Sequence, residues 1–456
     1  MKFKYINRTL LGLALCVFVA SCDDALEIEP KQNISATTAL SSTEDVQNAL
    51  IGAYSALGRP SLYGTNMILV SDLLANTGYL DWTGTFNSYR DLGQKITTAT
   101  NAEATRTWTN AYAGINIANT VIGALDKVTD PAAKTRIEGE ALFIRAILHF
   151  DLVRLYALPY DATTQNTQLG VPLMLKAVTS TADVDKEKAR NTVAEVYAQV
   201  EADLKAAIEK LPTDENGRAN KFSAIGILSR VYLQEQKYAE ARDAANRVIT
   251  EGGYTLADDL ETPFRTDNSS EGIFEIQQDV QNNAGTSNDG LATFYASLQG
   301  IGRADARVNT AFANSHELTD KRRTEMIYTG SGAKPGLFTQ KWTDYYGNIP
   351  VVRLTEMYLT RAEANFRLGT TVGSAPLVDI NTLRERAGLL PVAVLTVDQI
   401  LAEREKELAF EGFRLHDYKR TKRSIGTLAY NSPKLLLPIP DREMNANKAL
   451  VQNEGY

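Results

Sequence analysis

The sequence predicts a mostly α-helical protein, a scaffold of tetratricopeptide-like helical hairpins carrying an inserted loop-rich lobe with a few short strands. Three observations carry this expectation. Thr192 and Glu195 form a capping box, hydroxyl and carboxylate three residues apart at a helix start, and Val196, Val200, Leu204, Ala207 and Leu211 follow at helical spacing until Pro212. Ile225, Leu228, Ser229 and Tyr232, then Ala241 and Ala245, fall on the tetratricopeptide positions W-x2-L-G-x2-Y and A-x3-F, and the small residues at 229, 241 and 245 let two helices approach closely. Any antiparallel helical hairpin would share much of this pattern, and either kind must stack to bury its apolar face. From Gly252 to Val352 the helical period stops, and short apolar runs such as Gly272-Ile273-Phe274-Glu275-Ile276 and Gln340-Lys341-Trp342 alternate with polar loops.

The chain begins with an address. Lys2, Lys4 and Arg8 precede an apolar run from Leu10 to Ala20 that is too short to span a bilayer, and Val19-Ala20-Ser21-Cys22 follows as a small-residue cleavage site. This site resembles the lipobox of bacterial lipoproteins, which implies a diacylated Cys22 as the first mature residue; ordinary signal-peptidase cleavage is the alternative. Both cysteines, Cys16 and Cys22, lie here, so the rest of the chain has no thiol for a disulfide, a zinc site or a nucleophile. Loss of residues 1–21 removes three basic and no acidic side chains, taking the formal net charge from −7 to about −10, which argues against nucleic acid as a partner.

Asp23, Asp24, Glu27, Glu29 and Pro30 suggest an extended acidic tether over residues 22–40. A capping box at Ser41 and Glu44 then starts a helix striped by Val46, Leu50, Ala53 and Leu57. Residues 58–101 lose the period and gain aromatics, with Tyr63, Tyr79, Trp82, Phe86 and Tyr89 among Asp72, Asn76, Asp81 and Arg90. A hairpin follows, carried by Trp108, Tyr112, Ile115, Ile122 and Leu125 and by Ala141, Ile144, Leu148, Leu152 and Leu155. Beyond the lobe, helices are expected at Arg353–Leu368 and Leu377–Ala387, closed by Gly369 and Gly388, then from the Thr396/Gln399 capping box through Leu408 toward Phe413. Leu435–Tyr456 reads as an extended, Pro-rich tail, and about nine helices are expected in all.

Segments distributed over nearly the whole mature chain carry a family likeness. Glu140-Ala141, Arg145-Ala146, Phe150, Leu152, Tyr156 and Pro159 come first, then Phe264-Arg265 with Glu271-Gly272-Ile273-Phe274-Glu275-Ile276. Val352-Arg353-Leu354, Glu356-Met357-Tyr358-Leu359, Arg361-Ala362-Glu363-Ala364, Arg386-Ala387-Gly388, Glu403-Arg404, Glu407-Leu408 and Glu411-Gly412 follow, and Leu437-Pro438-Ile439-Pro440 with Gln452-Asn453 closes the series. In this order the chain resembles the SusD/RagB lipoproteins of Bacteroidetes nutrient-uptake systems, with Ala157 standing where glycine is usual. The resemblance implies a lipid anchor on the outer face of the outer membrane, a SusC-like TonB-dependent barrel as partner, an oligosaccharide or a peptide as cargo, no cofactor and no catalysis. It divides the chain into a signal peptide at 1–21, a lipidated tether at 22–40, a helical region at 41–251, the lobe at 252–352 and a C-terminal helical region and tail at 353–456.

Glu403, Arg404, Glu405, Glu407, Glu411 and Arg414 are dense enough to suggest the paired carboxylates of a glycosidase, which keeps a lipid-anchored glycoside hydrolase as a competing reading. Helical i,i+4 spacing makes them equally a ladder of ion pairs, the favoured reading, which extends to Arg145, Arg361 and Glu363. His149, His316 and His416 are far apart in sequence and outside any zinc frame, and the loop with Asn282, Asn283, Asn288 and Asp289 lacks EF-hand spacing for calcium. The remaining signal is aromatic: indole and phenol rings match the C–H face of a sugar, and neighbouring carboxylates and amides can bond its hydroxyls. Candidate ligand residues are therefore Asp72, Asn76, Tyr79, Asp81 and Trp82 on one loop and Trp342, Tyr345 and Tyr346 in the lobe, against the alternative that these rings plug hydrophobic gaps. Trp108, at helical spacing, is assigned to the core.

Overall fold

The computed structural model describes residues 40–456 apart from 186, 216, 286 and 287, so the leader, Cys22 and nearly all of the tether lie outside the described residues. Helix α1 (Thr43–Leu57) buries the expected stripe of Val46, Leu50, Ala53 and Leu57, but its capping box is Ser42 with Asp45 and not Ser41 with Glu44. The aperiodic stretch that follows holds two helices and a strand: α2 (Asn66–Leu74), β1 (Leu80–Trp82) and α3 (Asn87–Gln94). All nine residues of α2 are buried, so it has no polar face and hence no amphipathic period to detect. Helices α4 (Ala102–Gly123), capped by Asn101, and α5 (Pro131–Tyr156), with proline in its first turn, form the expected hairpin, and Trp108 is core at 3% exposure.

Helix α6 (Val193–Lys210) starts at the Thr192/Glu195 capping box, and its stripe packs into the main core. The tetratricopeptide-like pair is α7 (Lys221–Gln234) and α8 (Tyr238–Glu251), where Ser229, Ala241 and Ala245 are all buried. The lobe is less helix-free than its sequence suggested. It contains α9 (Thr262–Arg265), β2 (Gly272–Ile276), α10 (Leu291–Tyr295), β3 (Ala306–Val308), α11 (Thr310–Asn314), α12 (Lys321–Thr324), β4 (Ile327–Thr329), β5 (Leu337–Thr339) and β6 (Ile349–Arg353). Its helices span only four or five residues, too few for a period of 3.6 to be visible. Gln340-Lys341-Trp342 is not a strand; it follows β5 as a turn.

Two small sheets organise this region. One pairs β2 with β6, and the other has the order β1-β3-β5-β4, in which Leu80, Asp81 and Trp82 face Val308, Arg307 and Ala306. Strand β1 comes from the N-terminal half, so the aromatic loop of residues 76–90 is built into the lobe. After the lobe, α13 (Leu354–Leu368) ends on Gly369 in the left-handed conformation, and α14 (Pro376–Arg386) is followed by α15 (Val397–Glu407), which carries the Thr396/Gln399 box. Helix α15 stops at Glu407, before the expected Phe413, because the chain turns through Phe410 and Gly412 at positive φ before α16 (Arg414–Arg420). A short α17 (Asp441–Ala446) interrupts the extended tail, giving seventeen α-helices among the described residues.

Candidate ligand-binding site

Strand β1 delivers Trp82 to the surface of the lobe, and its half-buried indole is set by three contacts. Its Nε1 donates to the Phe86 carbonyl at 3.2 Å, and its ring lies 4.9 Å from Tyr89 and 5.6 Å from Phe294, both tilted contacts. Tyr89 and Phe294 are themselves buried, so the indole rests on a fixed aromatic base. Phe86, which is 40% exposed, extends this base outward and carries the Arg303 guanidinium 4.8 Å from its ring centre. Arg303 is anchored through Asp305 at 3.2 Å and the Thr85 hydroxyl at 3.3 Å.

The second aromatic cluster meets this one across residues 301–305. Tyr345 is half-buried, and its hydroxyl accepts from Gly302 N at 2.8 Å, immediately before Arg303. Gly302 has a φ of +82°, and a Cβ there would collide with the Ala296 carbonyl, so only glycine fits. Tyr346 is 38% exposed and makes an edge contact with Tyr345 at 6.4 Å. The structure therefore brings Trp82, Phe86, Arg303, Tyr345 and Tyr346 to one segment of the lobe. The sequence places Phe86 among the aromatics of this loop but not among the ligand candidates, and gives no sign of Arg303. Phe86 had a usable signal, four residues beyond Trp82 in the same loop, whereas Arg303 reaches the site only through tertiary structure.

Asn76 and Asp81 support the loop. The Asn76 side-chain oxygen accepts from the amides of Tyr79 and Leu80 at 3.4 and 3.3 Å, and the exposed Asp81 carboxylate accepts from Asn309 Nδ2 at 3.0 Å. Three of the expected ligand residues are interior and are corrected to packing roles. Asp72 is fully buried and accepts from the Tyr295 hydroxyl at 2.7 Å; burial pushes its carboxyl up to about 7, with the Tyr295 bond pulling the other way. The Tyr79 ring stacks on Phe410 at 4.9 Å and its hydroxyl accepts from Phe410 N at 2.5 Å, while burial raises its pKa well above the usual value. Trp342 is 4% exposed, donates to the Phe410 carbonyl at 2.7 Å and packs edge-on to Phe264. Both rings pack against Phe410, with little or no surface left for a ligand.

The acidic cluster pairs with other elements, not along its own helix. Glu403 bonds Arg322 at 2.6 Å and Arg384 at 3.2 Å; Glu407 bonds Arg386 at 2.7 Å and Arg353 at 3.3 Å; Glu411 bonds Lys341 at 2.6 Å and Arg353 at 2.9 Å. Arg404 pairs with Asp417, and Glu405 with Arg414, each at 2.9 Å. Burial alone would raise the Glu407 pKa, but Arg386, Arg353 and Arg322 override it and hold the carboxyl at about 2. Arg145 with Asp203, Arg361 with Asp379 and Glu363 with Arg420, all at 2.7 Å, repeat this pattern of buried pairing between helices. Asp289 ion-pairs with Arg106. Among the described residues no group of three His, Cys, Asp or Glu side chains gathers as metal ligands would. Nor is any helix among them long and apolar enough to cross a membrane.

Comparison with known proteins places this architecture. Residues 24–233 match a SusD-like family model described as starch-binding and associating with the outer membrane, and residues 326–432 match the SusD family model. The chain is 25% identical to the starch-binding protein SusD of Bacteroides thetaiotaomicron, with 100% of both chains covered, and 24% identical to a SusD-like protein of Bacteroides ovatus, covering 91% of this chain and 82% of that one. A crystal structure of a SusD superfamily protein from Bacteroides thetaiotaomicron superposes with a TM-score of 0.81 at 26% identity, covering 90% of this chain and 99% of the other. With residues 24–233 and 326–432 matched in order by two SusD-family models, the chain belongs to the SusD/RagB family.

Proposed function

We propose that this protein is a cell-surface glycan-binding lipoprotein that captures an oligosaccharide and delivers it to a SusC-like TonB-dependent outer-membrane transporter. The observation that carries the ligand assignment is the Trp82 and Phe86 ring pair, held on buried Tyr89 and Phe294 and flanked by Arg303, Tyr345 and Tyr346. Flat apolar faces beside amide, hydroxyl and guanidinium donors suit a sugar ring, and a rigid base lowers the ordering cost of binding. Cys22 supplies the anchor in this reading, and the acidic leader of the mature chain keeps the folded body clear of the membrane. Binding proceeds without turnover, because the carboxylates with glycosidase-like density are buried in ion pairs with arginine and lysine.

The test is a glycan-array screen of the full-length protein in mild detergent, followed by calorimetry on the best ligand. Trp82→Ala is expected to weaken affinity about thirtyfold, the ~2 kcal/mol cost of losing a central aromatic anchor. Parent-like affinity in Trp82→Ala would remove the site from this loop, and turnover of the bound glycan would transfer the protein to the hydrolases.

A further inference from the structure

Away from the aromatic site, a groove of about 670 Å³ opens between the α6–α7 connection, the end of α8 and strand β2. Its lining carries four carboxylates, Asp214, Glu215, Glu251 and Glu275, against one cation, Arg218. That guanidinium is already engaged, 3.7 Å from the buried Glu140 carboxylate and 5.8 Å from the Tyr54 ring centre. Glu215 and Glu251 have partners outside the groove, Arg136 at 3.9 Å and Arg247 at 3.0 Å, in partly exposed pairs of the kind that yields to a competing cation. Asp214 is exposed and in no ion pair among the described residues.

The groove also has unanswered polar groups at its floor. Glu275 is 5% exposed; its Oε2 accepts from Asn268 N at 2.8 Å and Asn348 Nδ2 at 3.0 Å, while Oε1 has no hydrogen-bond partner among the described residues. The Ser269 hydroxyl beside it, 7% exposed, has none either. Unsatisfied buried polar atoms are rare enough to call for an explanation. On the wall, the Tyr254 hydroxyl accepts from Asn220 Nδ2 at 2.9 Å, which leaves its own proton to donate.

A single metal ion is a poor match for this arrangement. The carboxylates are spread over the α6–α7 connection, the end of α8 and strand β2 and do not gather as metal ligands would among the described residues, and the volume far exceeds the roughly 30 Å³ that one water molecule occupies in the liquid. Dispersed negative charge over a strand backbone, with amides and a phenol between, suits a chain that carries its cations at intervals. We propose that this groove is a second binding site, taking a short extended peptide whose Lys or Arg side chains meet Asp214, Glu215 and Glu251 above the Glu275 carboxylate.

The probe is a fluorescein-labelled Lys-Ser-Lys-Ser-Lys peptide, with its norleucine counterpart as the neutral control, titrated into the full-length protein in mild detergent at physiological salt. The lysine peptide is expected to bind at least tenfold more tightly than the norleucine peptide. Asp214→Asn/Glu251→Gln should lose at least tenfold of that affinity at an unchanged thermal midpoint, and Glu275→Gln should weaken it in the same direction. Glu385→Gln/Asp398→Asn removes equal charge elsewhere and should bind like the parent, as should Trp82→Ala. Equal affinity for the two peptides, retention of binding in the groove variant, or an equal loss in the remote charge variant would overturn the proposal. Loss of peptide binding in Trp82→Ala would overturn it too, by moving the peptide to the aromatic site.

Discussion

Replacing Glu407 by glutamine keeps the side chain's volume and removes the counter-charge that Arg386, Arg353 and Arg322 share. The consequence follows from the proton affinity of the carboxyl. Its pKa is lowered from 4.5 to about 2, and at about 1.4 kcal/mol per unit the ionised form stabilises the fold by roughly 3 kcal/mol. Breaking a buried ion pair from one side costs about 3–5 kcal/mol in general, so the two routes agree. An unfolding entropy of about 2.1 cal/mol/K per residue puts the fall in thermal midpoint at roughly 3–4 °C for a chain of this size. Because the folded pKa is the lower one, this contribution is fully present above pH 4.5 and is lost as the pH falls through about 2. The gap between parent and Glu407→Gln should therefore be widest near neutral pH and close toward pH 2. Thermal unfolding followed by circular dichroism between pH 3 and 8 measures it, with exposed Glu44→Gln as a control expected to shift the midpoint by under about 1 °C. A Glu407→Gln midpoint within 1 °C of the parent at pH 7, or a gap that widens on acidification, would refute the electrostatic account.

Trp342→Ala should lower the thermal midpoint by roughly 3–6 °C, from the about 3–5 kcal/mol cost of emptying a buried indole site, and leave glycan affinity at parent level in calorimetry. Gly302→Ala forces a side chain into the Ala296 carbonyl at positive φ, so the segment between Arg303 and Tyr345 must shift; affinity for the array-identified glycan should fall on the order of tenfold. Cys22→Ser should release the protein from outer-membrane fractions or stall its processing, and a variant that fractionates like the parent would remove the lipid anchor from the proposal.

Much of the helical scaffold was legible because its signals are local. The Thr192/Glu195 and Thr396/Gln399 boxes and the α1 stripe each depend on residues within one or two turns, and each is realised. The cap at α1 slipped by one residue because Ser41-Ser42-Thr43-Glu44-Asp45 offers two serines and two acids at the right spacing, and backbone geometry selects between them. Helix α2 was invisible for the opposite reason, being surrounded by protein on every side. The site divides along the same line. Trp82 and Trp342 have similar neighbours in sequence, yet Phe264 and the Phe410 carbonyl enclose one while the other stays half-exposed, and neither partner of Trp342 is near it in the chain. The acids of α15 were readable as ion pairs, but their arginines belong to other elements and could not be assigned from spacing.

The charge links between lobe and C-terminal helices bear on the order in which the protein can be completed. Glu271 and Lys341, laid down within residues 252–352, have their counter-charges in Arg353, Arg386 and Glu411, all later in the chain. Arg322 has an early partner in Asp320 but relies on Glu403 and Glu407 for the rest. Until residues 386–411 arrive, closing the lobe would bury ions without their partners, at several kcal/mol for each. A chain emerging from its N-terminus must therefore keep the floor of the lobe hydrated while α4, α5 and α6, whose Arg145–Asp203 pair is already complete, can pack; the buried Arg230 of α7 still awaits Glu356 of α13. A product truncated at residue 352 would stall in that open state, a ready substrate for proteases, and the C-terminal helices act as the lock whose arrival commits the whole body to its final form.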